Sequence, residues 1–278
     1  MPAIPRSYLF VPGNRPERFA RAAASGAGAV IVDLEDAVPP ADKDAARMQV
    51  AAVLDPSNPV VVRINAEDTS WFEDDLALCR HAGVAAIMLP KAESVDNLRR
   101  VAQLGLPVLP LIETACGMAT VDALARVKGV ARLAFGSIDF QFDLGIEGDD
   151  EELLYFRSML VLASRVAGLA PPIDGVTVAL DDDAQLHADT LRARRFGFGA
   201  KLCIYPRQVA AVNAGFRPTE TELAWATRVL AAAREANCAA VAVDGMMVDR
   251  PVMLRAQRIV DVAAHFNKTT PGDTPWTI

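Results

Sequence analysis

The chain has 278 residues, of which 52% are hydrophobic and 23% charged, and its formal net charge is −7. This length fits one large α/β domain of about 250 residues or two smaller domains. The negative charge argues against general binding to nucleic acid or to an anionic membrane. The sequence shows neither an apolar run of about 18 residues nor a secretory signal, and its four cysteines lack a CxxC pair. We therefore expect a cytoplasmic protein with reduced thiols.

Eight short apolar runs alternate along the chain with Ala-rich segments that carry charges at helical spacing. The runs cover residues 7–12, 29–35, 60–65, 85–91, 108–114, 132–139, 172–178 and 201–206. Intervening segments such as "RPERFARAAASGA" and "SVDNLRRVAQLG" are typical of amphipathic helices. Apolar strands that alternate with helices form parallel sheets. Because eight units are present and the first run is not followed by a Gly-rich nucleotide-binding loop, the pattern favours a closed (β/α)8 TIM barrel over an open sheet.

The chain continues beyond the eighth unit with a segment that a barrel does not require. The sequence predicts a helix over "TETELAWATRVLAAAREA", a loop over "VDGMMVDRPV" with a tight Asp-Gly turn, and a last helix over "MLRAQRIVDVAAHF". We divide the chain into a catalytic barrel over residues 1–215 and a helical extension over residues 216–278 that belongs to the same domain unit. The extension is interpreted as a helical cover for the barrel, as a lid, or as an arm to a neighbouring subunit.

Ionisable and polar residues collect at the ends of consecutive apolar runs, where the active site of such a barrel lies. In chain order they are Glu35 and Asp36, Arg63 and Asn65, Lys91, Glu113 and Asp139. Glu113 and Asp139 occupy corresponding positions of neighbouring units, and adjacent strands lie about 4.8 Å apart, so both carboxylates can reach one cation. Oxygen ligands suit Mg²⁺, with Mn²⁺ as the alternative. A second interpretation is a network of ion pairs at the barrel rim.

An arginine beside a metal favours reactions in which negative charge develops on oxygen, as in an enolate. Arg63 is the candidate for this role. Arg15 and Arg18, in "GNRPER" after the first run, either bind a phosphate or only begin a helix after the proline.

A series of motifs runs in a fixed order from residue 6 to about residue 251. The motifs are "RSYLFVPGNRPERF", "DLEDAV", "VRIN", "LPKAES", "LIETACGM", "FGSIDFQFDLG", "GFGAKLCIYPRQV" and "VDGMMVDRPV". Together they resemble the citrate lyase β-subunit-like branch of the HpcH/HpaI aldolase and citrate lyase superfamily, which includes malyl-CoA and citramalyl-CoA lyases. The resemblance implies a (β/α)8 barrel that cleaves or forms a carbon–carbon bond in a hydroxyacyl thioester with Mg²⁺, through a thioester enolate and a 2-oxo acid. It also implies a homo-oligomer, a trimer or a dimer of trimers.

The resemblance assigns roles to five residues of the barrel. Glu113 and Asp139 match the family's metal ligands, and Arg63 matches the arginine placed over the reacting oxygen. Glu35 and Asp36 match the acidic pair that supports the metal's waters and that arginine. On this interpretation, carboxylates gather after the second run because cations gather there as well.

The remaining assignments concern the thioester and the proton. Asp244 matches an aspartate on the C-terminal segment that reaches a neighbouring subunit's site and exchanges a proton with the enolate carbon. CoA is expected along the barrel mouth near Arg15, Arg18 and Lys91. The family usually reads "CIHP" after strand eight, where this chain has Tyr205 in "CIYP". Tyrosine stays neutral near pH 7 whereas histidine can carry charge, so this departure leaves the thioester and the substrate open.

Our leading hypothesis is a stand-alone lyase that splits a 3-hydroxyacyl-CoA, such as malyl-CoA or citramalyl-CoA, into an acyl-CoA and a 2-oxo acid. The first alternative is the β-subunit of a citrate lyase that cleaves citryl-acyl-carrier-protein, in which case an acyl carrier protein is a partner. The second alternative is a malyl-CoA thioesterase. The third is a catalytically inactive binding barrel.

Overall fold

Eight parallel strands close into a barrel in the computed structural model, which describes residues 4–235 and 241–268, with only the backbone of residues 241 and 265–268. The strands are β1 (Ser7–Pro12), β2 (Ala29–Asp33), β3 (Val60–Arg63), β4 (Val84–Leu89), β5 (Val108–Ile112), β6 (Ala134–Phe135), β7 (Ile173–Asp174) and β8 (Ala200–Cys203). They pair in chain order, and β1 closes the barrel against β8. The predicted (β/α)8 barrel is confirmed.

Ten α-helices follow the strands within residues 4–216. They are α1 (Phe19–Ala23), α2 (Lys43–Val53), α3 (Phe72–Leu78), α4 (Val95–Ala102), α5 (Ala115–Ala119), α6 (Val121–Ala125), α7 (Ser137–Leu144), α8 (Leu154–Val166), α9 (Asp183–Phe196) and α10 (Gln208–Gly215). None of the helices in the described residues is long and apolar enough to cross a membrane.

Side chains alternate along the barrel strands between two separate apolar clusters. One cluster fills the barrel, and it sets alanines of the even strands beside larger residues of the odd strands, such as Ala29 beside Tyr8 and Ala86 beside Val61. Intervening residues such as Val30 belong to a larger cluster that includes the buried helix residues. Layers built from alternate strands are the normal filling of such barrels. The packed interior leaves the ends of the strands as the place for a site.

Several strands end before the apolar runs of the sequence do. β2 ends at Asp33, so Glu35 and Asp36 lie in the following loop, and β5 ends just before Glu113. The sixth run was expected to carry Asp139 at its end, and this was wrong: β6 has two residues, and Asp139 lies in the first turn of α7. Gly136 makes the strand-to-helix turn, and an acidic side chain in a first helical turn is favoured by the helix dipole.

The described residues from Arg217 to Lys268 group into a second unit, with its own small core. Its elements are α11 (Glu220–Glu235), β9 (Val241–Val243), β10 (Met246–Val248) and α12 (Arg250–Lys268). The predicted loop over "VDGMMVDRPV" is wrong, because β9 and β10 form an antiparallel hairpin. The Asp-Gly turn is present: Asp244 and Gly245 have φ of 52° and 76°, as a two-residue hairpin turn requires. Membership of this unit in one domain with the barrel stays a prediction.

Candidate active site

A buried arginine and aspartate form the centre of the polar cluster at the ends of β2 and β3. Asp33 and Arg63 are register partners on these strands. The guanidinium Nε and Nη2 donate to the two oxygens of Asp33 at 2.7 and 2.6 Å, a bidentate ion pair. The Phe10 ring lies 4.8 Å from the guanidinium carbon. Arg63 is therefore held in one orientation by two fixed groups.

Asp33 also orders the loop that follows it. Its carboxylate accepts the backbone N–H groups of Glu35 and Ala37 at 2.9 and 3.0 Å. The sequence analysis assigned no role to Asp33. Its burial at 1% exposure marks it as the main partner of Arg63. An acidic residue in register with an arginine on the next strand is a signal that needs the strand pairing to be known.

Glu35 and Asp36 bring further negative charge to the same arginine. Arg63 Nη1 lies 3.0 Å from Glu35 Oε2 and donates to Asp36 Oδ2 at 3.1 Å, and Lys91 Nζ donates to Glu35 Oε1 at 3.2 Å. Glu35 Oε2 is nevertheless buried without a partner in hydrogen-bond geometry. Burial, and then the Asp36 charge, raise the pKa of Glu35 to about 7 against the opposing effect of Arg63. Despite burial, the surrounding carboxylates raise the pKa of Arg63 further above its ordinary value, so it stays charged.

A lysine that the sequence analysis missed binds the backbone of the loop that carries Glu35 and Asp36. Lys43, the first residue of α2, is buried and donates from Nζ to the carbonyl oxygens of Leu34 and Glu35 at 2.9 and 2.8 Å. Burial lowers the pKa of Lys43 in spite of the Glu35 and Asp33 charges nearby. Helical periodicity contains no signal for this contact, because it joins a helix start to backbone atoms eight and nine residues earlier.

Glu113 is fixed by backbone groups on both sides. Its Oε1 accepts the backbone N–H of Lys91 at 2.7 Å, and Lys91 adopts a left-handed φ of 44° to present that group. A Cβ at Gly136 would lie 2.5 Å from both Cβ and Oε2 of Glu113, so only glycine leaves room for this carboxylate. Burial, and then the Glu35 charge, raise the pKa of Glu113 to about 8.

One pocket at the barrel mouth collects the principal candidate residues. It is lined by Phe10, Arg63, Leu111, Glu113, Phe135, Gly136, Ile138, Asp139, Val176 and Leu202. Asp139 stands at its open side, and partial burial together with the Asp36 charge raises the pKa of Asp139. The structure therefore brings together one arginine and two carboxylates against an apolar wall.

The residues of this pocket fit a magnesium ion. Three His, Cys, Asp or Glu side chains do not gather into a ready metal site anywhere in the described residues. Glu113 and Asp139 would thus supply two oxygen ligands, and water and substrate would complete the shell, as is common for Mg²⁺. Burial and neighbouring carboxylates raise the pKa values of Glu113 and Asp139, and a bound cation would offset both effects. Hard oxygen donors of this kind select Mg²⁺ over softer metals.

Other predicted residues lie away from the lining of this pocket. Arg15 and Arg18 are exposed and pair with Glu17 at 2.6 and 4.0 Å, and Pro16 begins the helical turn there. Tyr205 is 45% exposed in the turn after β8.

Two more predicted residues, Asn65 and Asp244, form hydrogen bonds with residues that do not line the pocket. Asn65, which was expected at the mouth, binds the buried carboxylate of Asp75 at 2.6 Å through its side chain. Asp244 lies in the second unit, where Arg228 donates to it at 2.7 Å. The roles assigned to all these residues stay predictions.

The family is established by comparison with known proteins. Residues 6–206 match the HpcH/HpaI aldolase/citrate lyase family, and the chain belongs to it. Fold and family together define an enzyme of the lyase class.

Individual relatives cover nearly the whole chain. A citrate lyase subunit beta-like protein of Deinococcus radiodurans is 38% identical over 93% of this chain and 97% of its own. A (3S)-malyl-CoA thioesterase of Cereibacter sphaeroides is 32% identical over 91% and 92%. The crystal structure of CitE from Mycobacterium tuberculosis, in complex with magnesium, acetoacetate and coenzyme A, superposes with a TM-score of 0.86 at 36% identity, covering 95% of this chain and all of that one.

Proposed function

We propose that this protein is a Mg²⁺-dependent lyase that cleaves or forms the carbon–carbon bond of a 3-hydroxyacyl-CoA, such as malyl-CoA or citramalyl-CoA, with an acyl-CoA and a 2-oxo acid as the other partners. The observation that carries the proposal is the convergence of Arg63, Glu113 and Asp139 on one pocket. The similar CitE structure, which contains magnesium, acetoacetate and coenzyme A, supports the same chemical class of ligands.

Glu113 and Asp139 are the residues that would hold Mg²⁺. The metal, when bound, would supply a Lewis acid for the oxygen of the 2-oxo or 2-hydroxy acid. The protein's own part is to place two carboxylates at a fixed separation. The Lys91 N–H and the missing side chain at Gly136 do this for Glu113. Glu35 and Asp36, which pair with Arg63, are assigned by the family pattern to support the metal's waters.

Arg63 stabilises the oxygen on which negative charge develops. A guanidinium has five N–H donors. In Arg63, two of them bind Asp33 and one binds Asp36. The bidentate pair with Asp33 fixes the plane in which the remaining donors point. Such a preorganised donor is worth about 10²- to 10³-fold in rate, and the apolar wall of Phe10 and Leu111 strengthens its field.

The proton of the enolate carbon is assigned to Asp244 of a neighbouring subunit in a trimer or a dimer of trimers. Its support is the family pattern together with its place at the tip of a hairpin, where the backbone turn presents the side chain. CoA is assigned to the surface near Arg15, Arg18 and Lys91. Tyr205, exposed in the turn after β8, is the position where thioester selection would differ from relatives that carry histidine.

Two other activities have support from specific relatives. A malyl-CoA thioesterase is suggested by the 32% identity to the Cereibacter sphaeroides enzyme. In that reaction water would attack the thioester carbonyl and release CoA and the free hydroxy acid, without breaking the carbon–carbon bond. Action on an acyl-carrier-protein thioester is suggested by the similarity to citrate lyase subunit beta-like proteins. The pocket with its arginine and carboxylates argues against an inactive barrel.

The test presents malyl-CoA, citramalyl-CoA and related hydroxyacyl-CoA thioesters to the purified protein with Mg²⁺ or with EDTA, and measures 2-oxo acid and free CoA separately. Metal-dependent release of 2-oxo acid is the expected result, and Glu113→Gln should abolish it. Asp96→Asn, an exposed acid on α4, serves as the matched control and should leave it unchanged. Free CoA without 2-oxo acid would instead identify a thioesterase, and inactivity on every CoA thioester would favour the citrate lyase subunit that acts on a carrier-protein thioester.

A further inference from the structure

Hydrogen bonds connect the loop after β4, the segment after β5 and helix α7 at the barrel mouth. In the loop after β5, Thr114 donates from Oγ1 to Glu93 Oε1 in the loop after β4, at 2.7 Å. The next residue, Ala115, donates its backbone N–H to Asp143 Oδ2 on α7, also at 2.7 Å. Glu113 directly precedes this pair of contacts. The segment that carries this candidate metal ligand is therefore hydrogen-bonded both to the loop after β4 and to α7.

Asp143 and Asp139 share a face of α7, because they lie four residues apart. Asp139 is the second candidate ligand, and Asp143 binds the N–H two residues after the first ligand, Glu113. This hydrogen bond thus connects the segment that carries Glu113 directly to the helix that carries Asp139. The α-helix fixes the spacing of Asp139 and Asp143, with a rise of about 1.5 Å per residue.

The rest of α7 is held mainly from its buried side. Phe140 packs edge-on against Phe135 and Phe156, with ring centroids 5.4 and 4.7 Å apart. Asp143 lies three residues after Phe140, on a neighbouring and exposed part of the helix surface, and holds that part through the Ala115 N–H. Apolar packing tolerates a small rotation of a helix, whereas a charge-assisted hydrogen bond of 2.7 Å prescribes a distance and a direction.

We propose that Asp143 is a positioning residue, which sets the separation of the Glu113 and Asp139 carboxylates through the Ala115 N–H and thereby determines affinity and selectivity for Mg²⁺. The inference rests on the proposed function, since it takes those two carboxylates as the metal ligands. Mg²⁺ demands near-octahedral geometry at about 2.0–2.1 Å, while Ca²⁺ accepts variable geometry at about 2.3–2.6 Å. Loss of the tie should therefore weaken Mg²⁺ more than Ca²⁺.

The test measures Mg²⁺ and Ca²⁺ dissociation constants by calorimetric titration of the metal-free protein and three variants. Asp143→Ala removes the acceptor, Asp143→Asn keeps an acceptor oxygen but removes the charge, and Asp122→Asn removes an exposed charge elsewhere, on α6. We expect Asp143→Ala to bind Mg²⁺ about 10-fold more weakly, with a smaller loss for Ca²⁺. Asp143→Asn and Asp122→Asn should stay close to the unsubstituted protein.

The melting temperature of each variant serves as the control for correct folding. The Ala115 N–H at the start of α5 can turn to water, so the net loss in Asp143→Ala is about 1 kcal/mol and the melting temperature should fall by only about 2–4 °C. Equal loss of Mg²⁺ binding in Asp143→Asn and Asp143→Ala would overturn the inference and indicate a pure charge effect. Unchanged Mg²⁺ binding in Asp143→Ala would also overturn it, because Asp143 would then have no role in metal binding. Absence of Mg²⁺ binding in the unsubstituted protein would instead overturn the metal site, and the inference with it.

Discussion

Replacing Glu113 by glutamine should stabilise the metal-free protein at alkaline pH. The carboxyl group is 2% exposed, and burial followed by the Glu35 charge raises its pKa from an ordinary 4.5 to about 8. Because the folded-state pKa lies above the unfolded one, the advantage of the neutral form is complete below about pH 4.5 and is lost as the pH rises through about 8. Glutamine has no charge to bury and keeps an oxygen for the Lys91 N–H.

The size of the effect follows from the same pKa. A rise from 4.5 to about 8 corresponds to at most about 5 kcal/mol, at about 1.4 kcal/mol for each pKa unit. Glu35 can take up a proton and relieve part of the repulsion, so we expect about 2–3 kcal/mol at pH 9. For a chain of this size that is a rise in melting temperature of about 4–10 °C.

The assay follows thermal unfolding of both proteins in EDTA from pH 5 to pH 9, and again with excess Mg²⁺. The two melting temperatures should nearly coincide at pH 5 and separate as the pH rises, with the variant higher. Mg²⁺ should raise the melting temperature of the unsubstituted protein and leave the variant unchanged, because the ligand is gone. A variant less stable at pH 9 in EDTA, or a difference independent of pH, would refute the view that uncompensated charge strains this pocket.

Three further substitutions test the surroundings of the site. Gly136→Ala places a Cβ against Glu113, so we expect a loss of about 1–3 kcal/mol in the free energy of unfolding and weaker Mg²⁺ binding by titration; normal binding would contradict the close contact. Asp33→Asn breaks the buried pair with Arg63 and should cost about 3–5 kcal/mol by denaturant unfolding, whereas a loss below 1 kcal/mol would mean that Asp36 and Glu35 suffice. Tyr205→His, at an exposed turn, should change unfolding by less than about 0.5 kcal/mol while changing KM for the thioester; an unchanged KM would remove Tyr205 from the binding surface.

Local patterns were sufficient for the units of the barrel. Each strand is a short, nearly continuous apolar run because it is buried on both faces, and each helix shows its own period, so eight alternating units could be counted from residues alone. β1 occupies the predicted residues, and Asp244 with Gly245 makes the predicted turn. The hairpin around that turn was missed because its two strands have three residues each, which is too short for a period of two to be recognised.

The sequence by itself therefore determined the barrel, the family motifs and the crowding of charge at the strand ends, since these depend on neighbours along the chain. Only the tertiary structure decided that Asp33 is the bidentate partner of Arg63, that Asp139 stands on a helix, and that Asp143 accepts the Ala115 N–H two residues after Glu113. These contacts join residues 28 to 30 positions apart at the named hydrogen bonds. Their geometry depends on strand register and loop path, and neither is encoded in the spacing of residue types along one segment.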